Sequence, residues 1–332
     1  MSHVIAAATE LASWLRRDAM SRGELGASLR DHDAPLELTA REMRLALGDR
    51  LHSQAASSPV TQDRVDPLCE QGVIPEVPGR DLDVEIVRRG VLGNGALIVR
   101  QLLDEDAVDR LSASGRSAVA ASRGRGRSMR YHPVDASRSS RDRSGLRRFV
   151  ESSGGVLLAD SPETLEFLVH EYSRCGLLEV IRAYLGGSAL LSGAKATVRS
   201  IAPSVDAELG WHQDGAFLGS GIGALNVWVA LTDCGVDAPT MMMVPKRLDQ
   251  IVPVGGVDAA FDWSVGAAAV AEASEGCDPV VLQFAAGDAI LFDEMNLHRT
   301  FTNRTMSSTR LAIESWFFAP DRMPDGWAAL AV

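Results

Sequence analysis

AAGDAILFDEMNLHRTF, residues 285–301, joins three signals in one short stretch. Ala285–Asp288 is a turn, Ala289–Phe292 has the apolar continuity of a buried strand, and the chain then comes out of the interior on a histidine, His298. Other short apolar runs surround it: LNVWVAL (225–231), MMMVP (241–245), PVVLQF (279–284) and RLAIESWFF (310–318). Gly, Pro, Asp and Asn punctuate them at the spacing of an all-β sandwich or barrel. The texture before Gly187 is helical. Ser161-Pro162-Glu163 marks a helix start, and LEFLVHEYSRCGLLEVIRAYLGG reads as its continuation to a glycine stop. GNGALIVRQLLDEDAVDRL reads as a strand, Ala96 to Arg100, running into a helix that Asp104 caps. The expected fold class is therefore α+β with a mainly β core, a jelly roll flanked by helices.

Further out, residues 4 to 56 read as helices, with Leu11, Trp14 and Leu15 on one face of the first and AREMRLALGDRLHSQAA forming a second. Residues 57 to 78 carry Pro59, Pro67, Pro75 and Pro78 among polar residues, which disfavours regular structure and suggests a linker. The expected division is a helical extension with linker over 1–80 and a catalytic domain over 81–332. The extension is also a candidate surface for oligomerisation.

The chain has 332 residues, 46% of them hydrophobic, enough for one large core. A formal net charge of −11 argues against nucleic acid or anionic membrane as partners. The N-terminal stretch is broken by Glu10, Arg16 and Arg17, unlike a secretory signal. Cys69, Cys175, Cys234 and Cys277 form no CxxC pair, so reduced thiols in a cytoplasm are expected. Residues 116–148 stand apart, with ten arginines against Asp135 and Asp142. That segment reads either as a lid that closes on an anionic substrate or as a solvated loop.

In WHQDGAF (211–217), His212 and Asp214 are two residues apart, so on an extended segment both side chains leave the same face. With His298 they would place two imidazoles and one carboxylate on one side of a metal and leave positions open, the arrangement that suits iron(II) oxygenases. Arg310 opens a buried strand and either meets an anion there, from a dicarboxylate co-substrate or a salt bridge to Asp293 or Glu314, or simply sits at the strand's wet end. Arg304 competes for the first role but lies in TNRTMSST, which reads as an exposed turn. Trp211, Asn226 and Trp228 are candidate pocket residues. Lys195 and Arg199, on the strand-like KATVR, are candidate contacts to a substrate or co-substrate anion. The trio Met241, Met242 and Met243 reads as core and pocket wall, because thioethers do not suit iron(II).

From His212 to Pro320 the sequence resembles the phytanoyl-CoA dioxygenase family of iron(II)/2-oxoglutarate oxygenases, through HQD, GDAILFD...LHR and TRLAIESWFF. A similarity in GNGALIVRQLLDEDAVDRL extends it back to about residue 85. The resemblance implies a double-stranded β-helix (cupin-like jelly roll) with His212, Asp214 and His298 as ligands of Fe(II). It implies 2-oxoglutarate as co-substrate, its 5-carboxylate on Arg310 with Thr300 as a hydroxyl donor, and dioxygen as oxidant. The implied reaction is oxidative decarboxylation to succinate and carbon dioxide with hydroxylation of a small organic substrate. Desaturation, ring closure and epimerisation stay open, while Asp214 argues against halogenation. The alternatives of a different class are a metal-dependent hydrolase and a non-catalytic jelly-roll binding protein.

Overall fold

The computed structural model describes residues 35–56, 65–124, 128–135, 143–203, 210–219, 221–256, 258–259 and 262–332. In chain order its elements are α1 (Leu36–Gln54), β1 (Glu76–Pro78), α2 (Val84–Arg88), β2 (Ala96–Arg100), α3 (Glu105–Gly124) and α4 (Arg143–Ser152). There follow β3 (Gly155–Leu157), α5 (Pro162–Arg174), α6 (Leu177–Tyr184), β4 (Leu190–Ser192), β5 (Thr197–Ile201) and α7 (Gly215–Leu218). The remainder is β6 (Leu225–Ala230), β7 (Thr240–Met243), α8 (Ala267–Ala273), β8 (Val280–Val281), β9 (Ala289–Phe292), β10 (His298–Phe301), β11 (Arg310–Phe318) and β12 (Ala329–Ala331).

The strands form two sheets. The larger runs β1-β2-β9-β6-β11, and the nine residues of β11 then take two partners along their far edge, β5 against Arg310–Glu314 and β4 against Phe317–Phe318. The smaller is β10-β7-β8. Period-2 alternation in the central strands feeds two apolar layers at once. Leu97, Val227, Leu291 and Ile313 face out under α3, α5 and α6, whose Leu111, Leu165, Tyr172 and Ile181 are buried in the same cluster. Ile98, Trp228, Ile290 and Trp316 face in, toward Met241 and Met243 of the small sheet. Coverage on both faces explains why β9, and β6 apart from Asn226, read as apolar runs. This is the jelly roll with outer helices that the sequence predicts.

Asp104 caps α3 as expected, accepting from the Ala107 N–H at 2.9 Å. The helix read as continuous after Ser161 is two: Gly176 has φ +79°, a left-handed backbone that ends α5 and lets α6 leave at a new angle. The proline-containing stretch is not wholly irregular either. Its last residues form β1, parallel to β2, in the register Glu76 with Ile98. Pro78 is tolerated because β1 is an edge strand.

Helix α1 packs against β12. Gly48 makes the approach close, since a Cβ there would lie 2.2 Å from the Ala329 carbonyl oxygen. Beside it, Arg44 is buried and makes paired bonds of 2.8 and 3.0 Å to Glu166 on α5, with a third of 3.1 Å to the Ala331 carbonyl. Leu11, Trp14 and Leu15 lie outside the described residues, as do 125–127 and 136–142 of the arginine-rich segment. Within its described part, Arg147 is tied to Asp160 at 2.6 Å. The four cysteines form no disulfide. Among the described residues, no helix is long and apolar enough to cross a membrane.

Candidate active site

A cavity of about 380 Å³ opens between the two sheets. The large sheet contributes Arg199, Asn226, Trp228, Phe292, Arg310 and Glu314 to its lining, and the small sheet contributes Met241, His298 and Thr300. Register accounts for this set. Asn226 pairs with Phe292 and Trp316, Trp228 with Glu314, and Arg199 with Ala312, so these residues share one face. Across the cavity His298 pairs with Met243 and Thr300 with Met241.

His212 and His298 meet through a two-residue bridge in which each backbone N–H donates to the other's carbonyl at 3.0 Å. Asp214 does not continue as extended chain. Its φ and ψ of −64° and −25° open the turn of α7, and that turn, rather than strand alternation, swings its carboxylate beside the imidazoles. Gln213 anchors the turn from behind. Its Nε2 donates to the carbonyls of Gln250 (3.1 Å) and Met295 (2.8 Å), and its Oε1 accepts from the Val252 N–H at 2.7 Å.

One donor atom from each of His212, Asp214 and His298 lies within 4.8 Å of the others. The residues fit a metal. His212 Nδ1 is 2.9 Å from the Gly210 carbonyl and His298 Nδ1 is 3.1 Å from the Asn296 carbonyl. Carbonyls only accept, so both protons sit on Nδ1 and both Nε2 lone pairs are free for coordination. Burial, helped by the nearby His298, pushes the His212 pKa down to about 3, which keeps its ring neutral. Asp214 Oδ2 is buried without a hydrogen-bond partner. An orphan of that kind requires a ligand.

Lys195 completes this corner. It sits on the turn between β4 and β5, one element earlier than the strand expected for it. Its Nζ donates to Asp214 Oδ1 at 2.7 Å and lies 3.6 Å from Glu314 Oε1. Burial alone would raise the Asp214 pKa; Lys195, then the two histidines, outweigh it and hold the carboxyl below its usual range.

Arg310 is buried, with one weak bond of 3.4 Å to the Thr240 carbonyl and an Nε that has no partner. Neither salt bridge weighed from the sequence forms. Asp293 is taken by Arg247 at 2.6 Å, and Glu314 by Lys195 and the Trp316 Nε1–H. Burial, and then the like charge of Arg199, push the Arg310 pKa down to about 10. Trp228 flanks its guanidinium at 5.5 Å. Arg304 is exposed in a turn, as read.

Asn226 and Trp228 line the cavity, whereas Trp211 lies under Arg299 and packs with the Val244 cluster. Sequence reading missed Trp263, which meets the His212 ring edge-on at 5.4 Å, and also Phe149, Phe217 and Trp327, and it took Glu314 only as a salt-bridge partner for Arg310. Glu314 was legible in principle, being four residues past Arg310 on the same strand face. Trp263 sits in a segment without a period that would reveal it.

A family model described as phytanoyl-CoA dioxygenase (PhyH) matches residues 92–312. No curated protein sequence matches the chain. Among solved structures, EctD from S. alaskensis in its apoform is 16% identical, covering 71% of this chain and 80% of that one, with a TM-score of 0.50. The epimerase SnoN in complex with Fe3+, alpha ketoglutarate and nogalamycin RO is 20% identical over 68% and 79%, with a TM-score of 0.46. AviO1 from Streptomyces viridochromogenes Tue57 is 20% identical over 70% and 92%, with a TM-score of 0.43. At these identities the likeness is one of fold.

Proposed function

This chain belongs to the phytanoyl-CoA dioxygenase family of non-haem iron(II)/2-oxoglutarate-dependent enzymes, matched over residues 92–312, and from that premise we propose that it hydroxylates an aliphatic C–H of a small organic substrate. Iron(II) bound with 2-oxoglutarate and dioxygen supplies the oxidising power, with release of succinate and carbon dioxide. The observation that carries the reading is the shared cavity. His212 and His298 line the same cavity as an arginine that lacks an anion, and the unpaired Asp214 oxygen belongs to the donor cluster they form.

Each residue then has a defined task. His212, Asp214 and His298 hold the metal through two Nε2 atoms and Oδ2. Lys195 occupies Oδ1 and so leaves the other carboxylate oxygen to the ion. Arg310 takes the 5-carboxylate of 2-oxoglutarate, a charge-assisted contact that replaces its missing partner. Thr300, on the facing sheet and lining the same cavity, donates its hydroxyl to that carboxylate. Phe292, Trp228 and Met241 keep the reacting end dry and strengthen these contacts. The four free thiols support a cytoplasmic setting.

The test is anaerobic addition of iron(II) and then 2-oxoglutarate to the metal-free protein, following the visible charge-transfer band. The band is expected to need both additions, and Arg310→Ala is expected to raise the 2-oxoglutarate concentration required by roughly 10- to 100-fold. Iron uptake without a band would overturn the reading. Ester or amide cleavage that ignores 2-oxoglutarate would replace it with a hydrolase.

A further inference from the structure

Three arginines line the cavity: Arg310 takes 2-oxoglutarate, Arg299 packs over the Trp211 and Phe301 rings with an Nη2 contact to Met242 Sδ, and Arg199 is left with an open edge. Arg199 stands opposite Ala312 on β11, one pleat from Arg310 and on the same face. Its Nη2 donates to Ser153 Oγ at 3.0 Å, while its Nε is shielded from solvent and has no acceptor. Among the described residues no carboxylate lies within ion-pair distance of Arg199. Glu314, the acid of this face, already accepts from the Trp316 Nε1–H at 2.8 Å and faces Lys195. Burial lowers the Arg199 pKa, with Glu314 opposing. A guanidinium in this setting is costly until an anion joins it.

Charge counting points the same way. Iron(II) and the 2-oxoglutarate dianion cancel each other, and Lys195 and Arg310 cancel Asp214 and Glu314. Arg199 and Arg299 are left; Arg299 is engaged by Met242 Sδ and two aromatic rings, so Arg199 is the one left open to an anion. The outer cavity is otherwise apolar: Phe149, Phe217 and Trp263 line it yet remain exposed at 49%, 44% and 37%. Exposed aromatic rings around a cavity are suited to covering an apolar ligand.

We propose that Arg199 is the recognition group for the primary substrate, and that this substrate is an apolar molecule bearing one carboxylate. The proposal rests on the iron/2-oxoglutarate reading above. A carboxylate is favoured over a phosphate because a single guanidinium with one spare edge matches one planar monoanion.

The experiment uses the full chain loaded anaerobically with iron(II) and 2-oxoglutarate, with octanoate and octanamide as probes. Binding is read from the shift of the charge-transfer band and from quenching of tryptophan fluorescence. The wild type is expected to bind octanoate at least about tenfold more tightly than octanamide. Arg199→Gln should abolish that preference without changing the 2-oxoglutarate requirement, and Arg199→Lys, which keeps the charge, should retain part of it. Equal binding of acid and amide by the wild type, or an undiminished preference in Arg199→Gln, overturns the proposal. A 2-oxoglutarate requirement raised in Arg199→Gln as far as in Arg310→Gln also overturns it, by assigning Arg199 to the co-substrate. Absence of the band in the wild type is a separate result that removes the iron/2-oxoglutarate reading itself and this proposal with it.

Discussion

Lys195 is the residue whose reach explains most about the candidate metal site. Its Nζ holds Asp214 Oδ1 at 2.7 Å, and Phe217 and Trp316 flank it at 4.8 and 5.5 Å. Replacing it by methionine keeps much of the stem's packing but leaves a second Asp214 oxygen without a partner. Lys195→Met is expected to weaken iron(II) or cobalt(II) binding by about 10- to 100-fold, measured by competition with a chelating dye. Unchanged metal affinity would show that Gln213 alone fixes the turn. At this scale the sequence was informative where spacing encodes geometry. His212 and Asp214 stand two apart, although a turn and not strand alternation joins them, Arg310 begins β11, and His298, read as closing a strand, instead opens β10. It offered Lys195 only as a contact to a substrate or co-substrate anion and missed its bond to Asp214, because that contact depends on a turn whose direction the Ser192 hydroxyl sets by accepting from the Lys195 N–H at 3.1 Å.

At the scale of elements, α1 is held less by its own amphipathicity than by one buried charge pair. Arg44 and Glu166 are almost wholly shielded from solvent. Removing one partner strands the other in a place where a charge is not tolerated. Arg44→Met is therefore expected to destabilise the protein by about 3–5 kcal/mol, read from the urea midpoint, and Arg44→Met with Glu166→Leu to recover much of that loss. A single-variant cost under about 1 kcal/mol would refute this account of α1. The helix itself was legible in AREMRLALGDRLHSQAA, but its partner was not. Pairing between elements far apart in sequence leaves no local pattern. The same limit hid β1, whose three residues earn their strand only from β2, and the break at Gly176, where helical apolar spacing runs through a glycine that the fold uses as a corner.

For the whole molecule, stability should depend on pH in a direction set by buried acids. Glu294 accepts from the N–H groups of Gly223 and Ala224 at 3.0 Å each, yet burial first and the neighbouring Asp293 second push its pKa up to about 7. A carboxyl raised in the folded state contributes stability that is full below its unfolded value, near 4.5, and lost as pH rises through about 7. Asp293, also raised by burial, acts in the same sense. Melting temperature should therefore fall between pH 5 and pH 8, and Glu294→Gln should flatten that fall; an equally steep profile in the variant would remove Glu294 as its cause. The two-layer architecture was readable from the short apolar runs, since both apolar sets are written into each of them. Much of the polar lining of the cavity was legible as well, but its aromatic rim of Phe149, Phe217 and Trp263 was not, because it is gathered from segments far apart in sequence. The seating of α1 on β12 has one more consequence, for synthesis. Arg44 and its acceptor at Ala331 are 287 residues apart. At roughly 5–20 residues per second, a ribosome makes the second some 15–60 s after the first. Throughout that interval Leu47 and the bare backbone at Gly48 lack the surface that will cover them, and the nascent chain relies on chaperones or on its own transient contacts to keep them from a neighbour.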